Sequence, residues 1–355
     1  MRAVRFHEYG SVDVLRLDEI PVPEPGPGEV LLKVAACGVN RVDILSREGV
    51  TPRKVPLPHT SGSEAAGTVA AVGPGVDGVE VGTRVVVNPT LSCGRCTPCR
   101  EGRDNVCRYG RVFGVETTGA YADYALAPAS QVIALPDTVP FRAAASVAVT
   151  GSTAWHMLVT RGAVAPGEDV LIVAGGSGIG VMGVQIAKLA GARVLATAGS
   201  AEKRERLRDL GADVVIDHTQ PDWGRQVRHA TGGKGADLVF EHVGTATWEQ
   251  SLQALARNGR LVTCGAHSGS TVSFDLWHLF VKEQTLIGSF AGTRRDLERV
   301  LALVAAGRLR PVIHATFPLA EAPRAQIALE DRTVFGKVLL TDEERRDGEE
   351  GSVRQ

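Results

Sequence analysis

The chain has 355 residues, 44% hydrophobic and 22% charged, a globular composition that excludes disordered, collagen-like and disulfide-stapled classes. Its 39 basic and 40 acidic side chains give a net charge of −1, so no global field draws it to nucleic acid or to an anionic membrane. At roughly 100–200 residues per domain two domains are expected, and no apolar run approaches the ~20 residues of a membrane span. The opening MRAVRFHEYG lacks the apolar centre of a signal peptide, so a cytoplasmic protein is expected. Taken in chain order, the β-type runs Glu29–Ala35, Gly67–Val72, Arg84–Asn88 and Tyr121–Leu126 alternate with Gly/Pro-rich punctuation and predict a β-rich domain over residues 1–150. From residue 151 strand and helix alternate: DVLIVAG, GIGVMGVQIAKLAG, ARVLATA, AEKRERLRDLG, DVVID, Trp223–Ala230, ADLVFEHVG, TWEQSLQALARNG and GRLVTCGA. That rhythm predicts an α/β domain with a doubly wound parallel sheet over 151–290. Gly191, Gly211 and Gly259 stand just past helical runs, as left-handed caps do. Thr293–Gly307 reads as a helix, and FGKVLL as a strand that returns residues 291–341 to the first domain. The polar, aperiodic stretch 342–355 reads as a flexible tail.

Four of the six cysteines, Cys93, Cys96, Cys99 and Cys107, stand as C-x2-C-x2-C-x7-C in a lobe over residues 92–108. Four thiolates so close together can surround a tetrahedral zinc with no open position, and such closed sites hold structure rather than react. In a reducing compartment this crowding points to a metal over disulfides. Gly94, Pro98 and Gly102 supply the turns that wrapping an ion requires. Cys37 and Cys264 lie in apolar runs and read as buried, inert thiols.

The strand DVLIVA runs into Gly175, Gly176, Ser177, Gly178, Ile179 and Gly180 and then into a helix. In that context small residues let backbone amides and a helix N-terminus approach a pyrophosphate. Ser177 stands where G-x-G-x-x-G has its second glycine, so the reading rests on the strand–loop–helix context. An NAD site wants an acid at the end of the second strand, whereas a 2′-phosphate wants hydroxyls and cations. The sequence offers Ala198-Gly199-Ser200 and then Lys203 and Arg204, which points to NADPH; the competing reading makes Lys203 and Arg204 a solvated helix face.

GEVLLKVAACGVNRVD, PHTSGSEAAGTVAAVGPGV, the cysteine lobe, TAWHML and EHVG occur in an order that resembles the medium-chain dehydrogenase/reductase superfamily, which contains zinc alcohol dehydrogenases and quinone oxidoreductases. The resemblance covers residues 1–340 and implies a GroES-like β fold for the first domain, a Rossmann fold for the second, and an active site in the cleft between them. It implies catalytic-zinc ligands at positions that hold Asn40, Ser63 and Val149, and an alcohol dehydrogenase proton relay where Val42 stands; none of the three can serve as thiolate, imidazole or carboxylate. V-N-R-V-D, Val39 to Asp43, is instead similar to the V-N-P-V-D of zinc-independent quinone oxidoreductases and enoyl reductases. The expected catalytic pair is Asn40, donating to the substrate oxygen, and Ser63 beside it, with a turn-stabilising role for Asn40 as the alternative. Asp43 and Glu64 read as loop anchors, and His59 and Tyr124 as candidate proton donors. By the same resemblance Thr153, Gly265, Ala266, Ser289 and Phe290 contact the nicotinamide, Val243 and Gly244 the ribose edge, His218 the adenosine phosphate, and Lys337 the pyrophosphate. TVSFDLWHLFVKEQTLIGSF resembles the family's dimer edge, so a homodimer is expected. Three functions stay open at this point: an NADPH-dependent reductase of enones or quinones with one structural zinc, a zinc-type alcohol dehydrogenase, and a non-catalytic NADPH-binding protein.

Overall fold

The strand Glu29–Val39 is buried at every position except Glu29 and Lys33, the pattern of a sheet's centre rather than its edge. The computed structural model describes residues 1–51 and 54–341, so the stretch read as a flexible tail lies outside the described residues. Around the central strand a seven-stranded sheet runs in the order Ile313–Pro318, Lys337–Thr341, Glu29–Val39, Glu64–Val72, Arg84–Val87 and Val132–Ala134, with Tyr124–Pro128 also paired to Glu29–Val39. All its pairings are antiparallel except that between the two strands nearest the C-terminus. Val30, Leu32, Val69, Phe113, Tyr121 and Val338 belong to its buried core. Each large apolar side chain of this kind contributes about 1.5–3 kcal/mol by leaving water. Register decides what meets at the end of the central strand: Gly38 lies opposite Glu64, and Val39 opposite Val338, next to Lys337.

The second unit, Thr150–Gly292, holds six parallel strands in the order Val214–Asp217, Arg193–Ala198, Asp169–Ile172, Ala236–Glu241, Leu255–Thr263 and Thr285–Gly288. Among the described residues the first unit comprises those up to Val149 and Thr293 to Thr341. The six-strand order reverses at Asp169–Ile172, the topological switch point of a dinucleotide-binding sheet. Leu171, Leu195, Val239, Leu261 and Trp223 belong to its core.

Gly191 and Gly211 have positive φ, as read from the sequence, but Gly259 does not; the left-handed residue there is Asn258, with φ 56°. The helix predicted through residue 259 ends at Ala254, and a strand begins at Leu255. Tertiary pairing overrides local propensity at this point: Leu255 pairs with Ala236, and the Gln284 amide donates to the carbonyls of Leu255 and Ala256.

Candidate active site

At the end of the central strand, Asn40 begins the helix Arg41–Arg47, and the Asp43 carboxylate accepts from the Asn40 backbone N–H at 2.8 Å. Tyr121 Oη donates to the same carboxylate at 3.0 Å, and Gly62 N at 3.3 Å. Burial nevertheless pushes the Asp43 carboxyl up from 3.8 to about 6.

Beside it lies Glu64, with no exposed surface. Val149 N donates to its Oε1 at 2.6 Å, and Lys337 Nζ pairs with its Oε2 at 2.6 Å. Asn40 is held at both ends: its Nδ2 donates to Glu64 Oε2 at 3.0 Å, and its Oδ1 accepts from Lys337 Nζ at 2.8 Å. An ammonium must face the amide oxygen and a carboxylate the amide nitrogen, so the orientation is fixed by charge. The second amide hydrogen meets Ser63 Oγ at 3.5 Å. Gly38 makes the arrangement feasible, because a Cβ there would sit 2.3 Å from Glu64 Oε2 and 2.9 Å from the Ala145 carbonyl. Asn40, Ser63 and Val149, the positions read as vacated by catalytic-zinc ligands, thus converge around one carboxylate.

Three expectations change here. Lys337 was expected at a pyrophosphate, but its three hydrogens go to Glu64, Asn40 and the Val39 carbonyl in a buried site, which exhausts an ammonium's donors. Ser63 is fully buried and its Oγ lies 3.5 Å from Asn40 Nδ2, so it meets Asn40 and is no exposed substrate contact. His59 is buried against Phe6 with Nε2 3.2 Å from the Gly114 carbonyl, and burial lowers its pKa; it is a neutral packing histidine rather than a proton donor. Tyr124 is half-buried in a strand opposite Lys33.

In the second unit the strand Asp169–Ile172 leads through Ala174, at φ 50°, into the helix Gly178–Leu189. Ser177 caps that helix, its Oγ accepting from Gly180 N at 3.0 Å. The amides of Gly178 and Ile179 are among the first four, which no intrahelical carbonyl can meet. A Cβ on Gly180 would lie 2.6 Å from the Ala174 carbonyl oxygen, so the loop closes only on glycine. Thr197 Oγ1 accepts from Ala174 N, the Thr197 carbonyl accepts from Gly175 N, and His242 Nε2 lies 3.0 Å from the Val173 carbonyl and 3.3 Å from Ser177 Oγ. Thr197 and His242 were not read from the sequence. EHVG carried the signal for His242, whose burial favours the neutral ring.

Ser200 caps the helix Ala201–Asp209 by accepting from Lys203 N, and Lys203 is half-buried. Arg204 is no loose surface charge: its Nη1 donates to the Gly199 carbonyl at 3.0 Å and pairs with Asp217 at 2.9 Å. Asp217 also escaped the sequence reading, because it ends the third strand while register sets it opposite Ala198. His218 Nδ1 lies 3.0 Å from Thr197 Oγ1. Val243 and Gly244 donate to the buried Glu241, and the Gly244 Cα lies where a Cβ would touch Ala266, so the Val243–Gly244 and Gly265–Ala266 turns pack together beyond their strand ends. Ser289 donates its backbone N–H to the Thr263 carbonyl and leaves a buried hydroxyl with no partner. Phe290 is exposed, and Thr153 is buried in the helix Thr150–Trp155. Apart from Thr153, these groups lie at or just beyond the carboxyl ends of parallel strands, where such sheets bind ligands, and the orphaned hydroxyl and glycine-closed loop fit a dinucleotide.

The thiol sulfurs of Cys93, Cys96, Cys99 and Cys107 all lie within 4.8 Å of one another. Zn–S bonds of ≈ 2.3 Å in a tetrahedron put sulfurs about 3.8 Å apart, which this set matches. Backbone amides donate to Cys93 and Cys107 sulfurs at 3.3–3.4 Å, and amides of Cys99 and Arg108 pull the Cys96 thiol down to about 6. Four sulfurs at this spacing fit a zinc. Among the described residues it is the sole group of three or more His, Cys, Asp or Glu donors close enough to hold a metal.

A parallel dinucleotide sheet, a β domain and a thiolate lobe together define an oxidoreductase class. Residues 26–137 match the family model of the alcohol dehydrogenase GroES-like domain, and residues 178–306 that of the zinc-binding dehydrogenase. The chain belongs to the medium-chain dehydrogenase/reductase superfamily. It is 32% identical to a quinone oxidoreductase of Homo sapiens over 96% of this chain and 97% of that protein. It is also 32% identical to an NAD-dependent alcohol dehydrogenase of Sulfurisphaera tokodaii, over 96% of this chain and 99% of that protein. A solved NAD-dependent alcohol dehydrogenase superposes with a TM-score of 0.92 at 43% identity, covering 96% of this chain and 99% of its own. No helix among the described residues is long and apolar enough to cross a membrane.

Asp43 yields a test of the first site. Its folded-state pKa is raised, so the folded chain binds the proton more tightly than the unfolded one. The stability this contributes is present below 3.8 and is lost as pH rises to about 6. Against Asp43→Asn, which cannot titrate, wild type should therefore lose on the order of 3 kcal/mol across that window, read from denaturant melts. A stability difference that does not vary with pH would contradict the burial argument.

Proposed function

We propose that this oxidoreductase uses NADPH to reduce the activated C=C bond of an enone or enoyl compound, or a quinone, without a catalytic zinc. The observation that carries the reading is that Asn40 and Val149 N donate to Glu64 while Ser63 meets Asn40, at the positions where zinc ligands are expected from the family. A carbonyl reduced to an alkoxide calls for a Lewis acid or another way to stabilise that localised charge, whereas an enolate or hydroquinone anion spreads its charge and can be met by hydrogen-bond donors. When bound, the nicotinamide supplies the hydride. The second N–H of Asn40 leaves its long contact with Ser63 Oγ to donate to the substrate oxygen as charge builds there, and solvent protonates the α carbon. In the nucleotide unit, Gly175, Gly176, Ser177, Gly178, Ile179 and Gly180 take the pyrophosphate, and Ser200, Lys203 and Arg204 the 2′-phosphate, with His218 alongside. Val243 and Gly244 take the ribose edge; Thr153, Gly265, Ala266, Ser289 and Phe290 take the nicotinamide. The four cysteines hold one structural zinc.

NADH is the second cofactor reading, favoured by Asp217, whose carboxylate already occupies Arg204. Oxidation of NADPH and NADH should be followed with enones and quinones against aldehydes and ketones. Turnover on the first panel is expected, with a higher kcat/KM for NADPH and a kcat lowered ~10-fold or more by Asn40→Ala. Turnover on aldehydes and ketones alone would favour an alcohol dehydrogenase, and binding without turnover on either panel a non-catalytic protein.

We also propose a homodimer. Phe274, Leu276, Trp277, Phe280 and Val281 form an exposed apolar group beside the edge strand Thr285–Gly288, too concentrated for ordinary surface. Light scattering should give twice the 37.5 kDa chain mass, and a monomer would contradict the assignment.

A further inference from the structure

We infer that Lys337 is a positioning residue that acts through Asn40: its ammonium fixes the Asn40 amide and strengthens the N–H that meets the substrate oxygen. The inference rests on the reductase reading and deepens it. A buried ion pair is an expensive device, since both charges leave water and an apolar pair of similar volume often holds a fold equally well. Lys337 and Glu64 are nevertheless both buried, and neither is spent on a surface contact. What the pair does hold is the side chain of Asn40, with the ammonium on its oxygen at 2.8 Å and the carboxylate on its nitrogen at 3.0 Å.

Two consequences follow. An amide clamped by unlike charges cannot flip, so its second N–H keeps one direction; the acceptor it has there, Ser63 Oγ at 3.5 Å, is too far for a strong bond, so a substrate oxygen can take its place. A cation on the amide oxygen also draws electron density from nitrogen, and hydrogen bonds in such chains polarise one another. The N–H of Asn40 is then both pre-aimed and a better donor, the arrangement that favours charge developing on a substrate oxygen. Lys337 touches neither substrate nor cofactor in this role. Its ammonium has no hydrogen left for a phosphate.

The test is a double-mutant cycle between Lys337→Met and Asn40→Ala, with kcat for an enone and KM for NADPH measured in each variant. Lys337→Met should lower kcat roughly 10-fold or more and leave KM for NADPH within about twofold. Adding Lys337→Met to Asn40→Ala should cost little further, because both act through one donor. Should Lys337→Met fail to fold with Glu64 left unpaired, the pair Lys337→Met/Glu64→Gln removes both charges and replaces it in the cycle. A raised KM for NADPH with kcat intact would overturn the inference in favour of a pyrophosphate contact. Losses that multiply would overturn it by showing independent action. A normal kcat for Asn40→Ala would instead remove the underlying reductase role of Asn40, whereas a slow Asn40→Ala beside a normal Lys337→Met would remove only the role of Lys337.

Discussion

A carboxylate wholly out of water must be met by donors, and the first unit is organised around meeting Glu64. Its partners come from three distant stretches: the end of the central strand at Asn40, the close of the unit's first segment at Val149, and the returning strand at Lys337. That requirement is why a glycine stands at position 38, and the pairing of Lys337–Thr341 with Glu29–Val39 is what brings Lys337 to the carboxylate. Breaking such a pair by removing one partner typically costs 3–5 kcal/mol, because the remaining charge stays buried. The same carboxylate marks the place where family members that bind catalytic zinc are expected to gather its ligands. Its donors here are an amide, a backbone N–H and an ammonium.

The nucleotide unit follows a different constraint, the close approach of backbone to ligand. Ser177 substitutes for a glycine without loss of the loop, because its hydroxyl caps the helix it precedes, and the steric demand falls on Gly180 instead. Thr197 and His242 brace the loop from the neighbouring strands. The relatives include both a quinone oxidoreductase and NAD-dependent alcohol dehydrogenases, so family membership establishes an oxidoreductase and leaves substrate and cofactor to the residues.

Much of the architecture was legible in the sequence, and for stated physical reasons. The strand and helix rhythm of the second unit shows because parallel strands are uniformly apolar while their crossover helices are amphipathic. The cysteine lobe shows because its four thiols, Cys93 to Cys107, lie within fifteen residues of one another in the chain. What stayed hidden depends on register between segments far apart: the Lys337–Glu64 pair joins residues that only sheet pairing brings together, so Lys337 read as an ordinary strand residue or a phosphate ligand. Asp217 was missed for the same reason, since it ends one strand and acts at the end of the next. Gly259 misled because a helical pattern continued past Ala254 into residues that the sheet claims.

Whether the place around Asn40, Ser63 and Val149 is served by protein charges rather than by a metal is tested most directly by counting zinc. Elemental analysis of tag-free protein, before and after mild chelation, should give about one tightly held zinc per chain, with enone or quinone reduction unaffected by the chelator. About two zincs per chain, one of them chelatable and needed for turnover, would contradict this and make the chain a zinc-dependent alcohol dehydrogenase.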